Sequence, residues 1–359
     1  MNITIVGGGN IGTQFATHCA EKGHKVTIFT TKFLLFDRTL KIIDSLNNVI
    51  HFGEIQLATD DAKLAFSNAD MVFITTPAFM ANSMADIIYP YIKNNASIVL
   101  VPGIGGMECA FHNFLSKGCS IYGLQRVPSV ARLVEYGKVV CAEGYRDTLF
   151  LGALPSAAAP ACCKIIEGIF DMPCKPLPNF LNLTLTPSNP ILHTSRLYSL
   201  FKDYLKGVVY DKVPLFYEEW DNQTSEILLP CDQEVQDICS TLSDFDLSFV
   251  KSLKIHYESQ NAQQLTNKIT SIKSFQGLLT PMKKIENGFI PDFSSRYFIS
   301  DFSYGLSIIH QIAKFANVKT PNIDILLSWY YNLVGNQNHF DYKDYQITDL
   351  RSFKAFYKK

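Results

Sequence analysis

Apolar and polar positions in the first half of this 359-residue chain switch between two periods. Apolar runs at 3–6, 25–29, 71–75 and 97–101 read as buried strands, and residues 13–22, 61–68 and 80–92 between them carry helical spacing. Strand and helix in alternation predict a doubly wound, mostly parallel sheet. Beyond residue 120 the apolar runs shorten to 120–124, 138–142 and 148–151, expected to complete the sheet in a partly antiparallel manner, with a helix over 159–170. Pro173, Pro176 and Pro178 then interrupt regular structure, so the domain boundary is placed there, giving residues 1–177 and 178–359. The second part has helical periodicity: Leu306, Ile309, Ile312, Ala313 and Ala316 mark one apolar face. Thr320 and Pro321 read as a capping hydroxyl and a first-turn proline ahead of a helix over 323–333. The expected fold class is an α/β Rossmann-type dinucleotide-binding domain followed by a mostly α-helical C-terminal domain, with substrate in the cleft between them.

The first strand runs into Gly7-Gly8-Gly9-Asn10-Ile11-Gly12, a GxGxxG pattern lying between a strand and a helix. Gly7 allows the tight turn, Gly9 lets the backbone approach a pyrophosphate, and Gly12 permits close packing of helix on strand. The amides of Asn10 and Ile11, at the helix start, face the same anion. An NAD-preferring site carries an acid at the end of the second strand to accept from the ribose 2′-hydroxyl. Here that place holds Thr30, Thr31 and Lys32, groups able to receive a 2′-phosphate, with Arg38 as a second cation. NADP(H) is the expected cofactor and NAD(H) the second choice. Thr75, Pro77 and Gly103, at the ends of later strands, are candidates to line the nicotinamide ribose; each is equally consistent with turn chemistry.

Composition narrows the partners. A formal net charge of −1 gives no electrostatic reason to expect nucleic acid or an anionic membrane. No apolar stretch reaches the length of a spanning helix, and a strand beginning at Asn2 leaves no room for a signal peptide, so a cytoplasmic protein is expected. Nine scattered cysteines without a CxxC pair, and histidines without HExxH or HxxxH spacing, predict reduced thiols and no metal. The tail 339–359 mixes polar and aromatic residues and is open to covering the domain, capping the cleft or packing across a homodimer.

Two segments of the second half carry candidate chemistry. Ser188 or Asn189 caps a helix in which Asn189 and His193, four apart, share a face. About a hundred residues later, Arg296 and Asp301 precede the apolar helical face. A guanidinium suits bidentate binding of a substrate carboxylate, and a carboxylate meeting His193 would hold its tautomer. A helix-capping Asp301 and a surface Arg296 are the plainer alternatives. Arg126 and Arg132 are further cations without an assigned role.

Taken together, GGGNIG at 7–12, PGIGG at 102–106, NPILH at 189–193 and RYFISDFSYGL at 296–306 resemble the opine dehydrogenase family, which includes octopine, nopaline and N-(1-carboxyethyl)norvaline dehydrogenases. The resemblance spans both domains and is most specific in the last two motifs. It implies an oxidoreductase acting on the CH–NH group, condensing a 2-oxo acid such as pyruvate with an amino acid. It further implies a catalytic pair of His193 and Asp301, with Arg296 and Asn189 serving the substrate. Two positions depart from the family: Ser300 stands where an acid often precedes the aspartate, and the ribose acid is missing. A 2-dehydropantoate 2-reductase-like enzyme and a nonenzymatic dinucleotide-binding sensor are the alternatives; the former relies on a lysine context that has no persuasive counterpart here.

Overall fold

Helix α1 (Asn10–Glu21) is buried on nearly every side, from Gly12 through Cys19. A helix with one apolar stripe needs one cover; this one has two, because a second sheet lies over it. The structure, a computed structural model, describes residues 1–335 and 339–358. It forms two compact units, residues 1–183 with 355–359 and residues 184–354.

The strands of the first unit are β1 (Asn2–Val6), β2 (Lys25–Phe29), β3 (Thr39–Ile43), β4 (Val49–Glu54), β5 (Leu57–Thr59) and β6 (Met71–Ile74). They continue with β7 (Ser97–Leu100), β8 (Ser120–Leu124), β9 (Val130–Glu135), β10 (Val139–Glu143), β11 (Leu149–Leu154) and β12 (Cys174–Pro176). Eight make one sheet in the order β12-β11-β8-β7-β6-β1-β2-β5. The six strands from β8 to β5 pair in parallel, while β11 runs antiparallel to β8 and β12 follows it. Central strand β6 is buried at every position, as a parallel strand covered on both faces must be. The expected doubly wound architecture is present.

One expectation about the sheet is corrected. Segment 138–142, placed by its pattern in the main sheet, belongs to a separate four-stranded sheet of order β4-β3-β10-β9. Its alternating burial marks a strand covered on one face only. Strands β3 and β4 form an antiparallel pair that the apolar pattern did not reveal, since Lys41, Val49, Ile50 and Phe52 face solvent or nearly so. Gly53 of β4 lies against α1 so closely that a Cβ there would meet Thr17 O and Glu21 N at 2.7 Å.

Apart from a hairpin of Met282–Ile285 with Gly288–Pro291, the second unit is mostly helical: α2 (Asn189–Phe201), α3 (Asn222–Thr241), α4 (Ser307–Ala316) and α5 (Pro321–Val334) are its longer helices. Leu306, Ile309, Ile312, Ala313 and Ala316 are all buried, as their spacing predicts. The start of α5 departs from expectation. Thr320 makes no capping bond to the helix amides, and its hydroxyl donates to Asp324 instead. The cap comes from α3, whose buried Glu234 accepts from Asn322 N at 2.8 Å and Ile323 N at 3.0 Å. A carboxylate is the stronger acceptor at a helix N-terminus, where the dipole favours negative charge. The closing residues 355–358 return to the first unit, where Tyr357 donates to buried Glu108 at 2.6 Å. Among the described residues no helix is long and apolar enough to cross a membrane.

Candidate active site

The glycine loop has the geometry of a phosphate cradle. Gly7 adopts φ +101°, and a Cβ there would strike Thr75 Oγ1 at 2.9 Å. Gly12 packs so tightly on the preceding turn that a Cβ would lie 1.9 Å from Gly7 O. Around Gly9 the situation is the opposite: its absent Cβ would meet nothing within 4 Å, so the first turn of α1 opens on free space. No side chain caps that turn, leaving the amides after Gly9 to a ligand. Beside the loop, the Thr76 hydroxyl is buried without a hydrogen-bond partner. A dinucleotide with its anionic bridge and ribose hydroxyls fits this donor set.

The other candidates for cofactor contact divide by what they already hold. Asn10 accepts from Leu133 N at 2.9 Å and ties α1 to β9, and Ile11 packs into the core of both sheets. Thr75 donates to Val6 O at 2.8 Å, joining the ends of β6 and β1. Gly103 lies where a Cβ would come within 2.8 Å of Gly123 Cα, so strand packing accounts for its glycine. Pro77 starts the turn after β6. At the end of β2, Thr30 Oγ1 accepts from Lys32 N at 3.3 Å, while Thr31, Lys32 and Arg38 are exposed. Lys32 has no carboxylate partner among the described residues and lies 5.2 Å above the Tyr136 ring. Arg132 is in the second sheet and donates to Ala131 O.

The second unit assembles His193, Asp301 and an aromatic wall. Helix α2 begins at Asn189 with Pro190 in its first turn, so His193 lies on the second turn, 3% exposed. Asp301 lies in a π-helical stretch, Ile299–Leu306, that runs directly into α4. Wider turns of this kind interrupt the regular ladder and recur at functional sites. Within it, Gly305 abuts α2: a Cβ would lie 2.7 Å from Pro190 Cγ. That approach lets His193 Nδ1 reach Asp301 Oδ2 at 2.7 Å. The carboxylate can only accept, so Nδ1 carries the proton and Nε2 is left as the working nitrogen.

At Nε2 stands a residue the sequence reading left unassigned. The Tyr217 hydroxyl lies 2.8 Å away and donates to the neutral imidazole. Its ring stacks on Phe275 at 4.1 Å. Burial pushes its pKa well above the usual phenol range, with Arg296 opposing the shift, so Tyr217 keeps its proton at neutral pH. Arg196, one turn beyond His193, is fully buried and places this loop by donating to Phe216 O at 3.0 Å and Glu219 O at 2.5 Å. Neither residue stands in a recognisable motif; the one available signal was the aromatic density of Phe216, Tyr217 and Trp220.

Arg296 opens the short helix before the π-helical stretch, exposed, 5.5 Å from the Tyr297 ring. Tyr297 in turn lies 4.6 Å from the His193 imidazole. The guanidinium has no carboxylate partner among the described residues. Asn189 is half-buried, its amide oxygen 3.4 Å from Ser188 Oγ. The structure thus brings His193, Asp301 and Tyr217 into direct contact, with Arg296 beside them through Tyr297.

A dinucleotide-dependent oxidoreductase is the class these features define. Residues 176–334 match the family described as NAD/NADP octopine/nopaline dehydrogenase, alpha-helical domain, and residues 2–129 match the NAD-dependent glycerol-3-phosphate dehydrogenase N-terminus. Along nearly its whole length the chain is similar to opine and tauropine dehydrogenases, which are oxidoreductases acting on the CH–NH group with NAD(P). It is 28% identical to an opine dehydrogenase of Haliotis discus hannai, covering 94% of this chain and 91% of that one. With a tauropine dehydrogenase of Arabella iricolor it shares 26% identity over 93% and 92% of the two chains. The structure of octopine dehydrogenase with NADH and L-arginine superposes with a TM-score of 0.82 at 23% identity, over 98% of this chain and 97% of that one.

Replacing Gly305 with Ala tests how the pair is positioned. Overpacking against the Pro190 ring should cost about 1–3 kcal/mol in denaturant unfolding and lower turnover while leaving nucleotide affinity unchanged. Wild-type stability and turnover would show that the close approach is not required.

Proposed function

We propose that this chain is an NADP(H)-preferring opine dehydrogenase that joins a 2-oxo acid such as pyruvate to the amine of an amino acid, acting in the cytoplasm. The single observation carrying the reading is the His193–Asp301 pair, with Nδ1 held by a carboxylate and Nε2 turned to a hydroxyl. Residues 1–177 serve the dinucleotide, and the substrates fall to the second domain, expected over 178–359, whose compact unit spans 184–354. Support for the phosphate-bearing cofactor comes from Thr30, Thr31 and the unpaired Lys32 at the end of β2, where no acid is present to repel a 2′-phosphate. Nine free, mostly buried thiols suit a reducing compartment.

Amine and oxo acid condense with loss of water to a C=N bond; a nicotinamide dinucleotide, when bound, supplies the hydride that reduces its carbon. The protein's part is to hold and to move protons. Arg296 clamps the oxo-acid carboxylate with its free guanidinium, a planar fork matched to two oxygens. Asn189, on the His193 face of α2, donates to a carbonyl or carboxylate oxygen. Once Nε2 has also taken up a proton, His193 gives that proton to the substrate in the reductive direction and takes one back at Nε2 in the oxidative one. Asp301, by accepting from Nδ1, fixes the ring and leaves Nε2 as the nitrogen that exchanges the proton. Tyr217, hydrogen-bonded to Nε2, relays a proton only by passing its own hydroxyl proton onward as it accepts from the ring. Its dense aromatic surroundings, with Phe216 at 5.4 Å from the imidazole, limit water at the pair.

The test is a spectrophotometric screen of oxo acids against amino acids, run separately with NADH and NADPH. Oxidation should require both organic substrates and be faster with NADPH. Turnover with the oxo acid alone would replace this reading by a simple 2-oxo acid reductase, and equal or better rates with NADH would overturn the cofactor choice. Arg296→Ala should raise the Michaelis constant for the oxo acid about 10-fold or more, the loss of a charged hydrogen-bonded contact; an effect confined to the dinucleotide would remove Arg296 from the clamp.

A further inference from the structure

Away from the residues described above, two imidazoles and a carboxylate converge where α1 meets β4. His18 and Glu21, three apart on α1, share a helix face. His51 comes from β4, and its Nδ1 lies 2.7 Å from Glu21 Oε2. The rings of His18 and His51 are 4.4 Å apart. One ligand atom from each of the three residues lies within 4.8 Å of the others. We propose that His18, Glu21 and His51 bind a divalent transition cation, with zinc as the expected ion.

Four observations support a metal over a plain Glu21–His51 ion pair. First, His18 is 2% exposed, and only its Nε2 has a partner, the Tyr145 hydroxyl at 3.1 Å. If Nε2 carries the proton and donates it, the Nδ1 lone pair is free, and no described residue donates to it. Second, the donors converge from two elements on one small space, with His51 Nδ1 2.7 Å from Glu21 Oε2 and the two imidazole rings 4.4 Å apart, so a single ion can reach all three. Third, the outer contacts have the form that orients a ligating imidazole. Tyr145 is also within 3.4 Å of Gln14 Nε2, which donates to Ser129 Oγ at 2.7 Å. Fourth, the backbones are pressed together by Gly53, two residues from His51, so the donors sit on elements with little freedom to separate.

Donor chemistry selects the ion. Two neutral imidazoles and one carboxylate suit zinc, cobalt or nickel, whereas magnesium and calcium prefer oxygen. Water would complete the coordination. The carboxylate of Asp171 is held by Lys22 at 2.5 Å. An ion here would pin the C-terminal end of α1 to the covering sheet, a structural role remote from the glycine loop at the other end of that helix. Short ligand spacings such as HExxH are absent from the chain, and Glu21 and His51, 30 residues apart, are brought together only by the sheet.

Titration of the folded, tag-free chain with Co²⁺, followed by displacement with Zn²⁺, tests the proposal. One ion per chain should bind, giving visible d–d bands without the near-ultraviolet thiolate band that ligation by cysteine would produce. His51→Ala and Glu21→Gln should each weaken binding ~10-fold or more while keeping the wild-type far-ultraviolet circular dichroism. Should His51→Ala fail to fold, Glu21→Gln decides alone. Absence of saturable binding, a thiolate band, or undiminished affinity in the folded variants would overturn the site.

Discussion

Two helix backbones meet at Gly305 and Pro190, and the chemistry of the second unit depends on how closely they do so. Glycine in the π-helical stretch and proline in the first turn of α2 remove the side-chain bulk that would hold the helices apart. The consequence is a hydrogen bond between residues 108 apart in the chain, from His193 Nδ1 to Asp301. Burying an imidazole and a carboxylate is costly unless each finds a partner of good geometry. Here each supplies the other's need, and Tyr217 satisfies the remaining ring nitrogen. Arg196 extends the arrangement by holding the loop that carries Tyr217. Polar groups connected in this way specify one geometry, because losing any member leaves another unpaired.

The first unit follows the same logic with different means. Gly7 and Gly12 allow α1 to sit on the end of β1, and Thr75 locks that corner to β6. What remains unpaired is informative. Free space at Gly9, an uncapped helix start and the orphaned Thr76 hydroxyl are what a bound dinucleotide would use. Structural demands have been met by one set of side chains, leaving another set for a ligand.

Local patterns were legible in the sequence, and contacts between distant segments were not. The glycine loop, the parallel strands and the apolar face from Leu306 to Ala316 depend on spacing within a few residues. His193 and Asp301 could be paired in advance only through resemblance to a family, since nothing in either segment announces the other. The second sheet escaped notice because β4 exposes Val49, Ile50 and Phe52 while burying Gly53 against α1, so its burial pattern reflects α1 rather than its own sequence. Thr320 looked like a cap by position, yet Glu234 reaches the helix start from another helix and binds it more strongly. Tyr217 ends an aromatic-rich stretch, 198–217, of the kind that is more often core, and Arg196 stands in no motif; both are buried, and their hydrogen bonds, not their burial, separate them from packing residues.

The central claim is that Asp301 makes His193 an acid and base by holding its Nδ1 proton. Asp301→Asn keeps the size of the side chain and removes the charge. Amine-dependent NADPH oxidation by this variant should fall about 10²-fold or more, with NADPH binding unchanged. A variant that turns over near the wild-type rate would contradict the account.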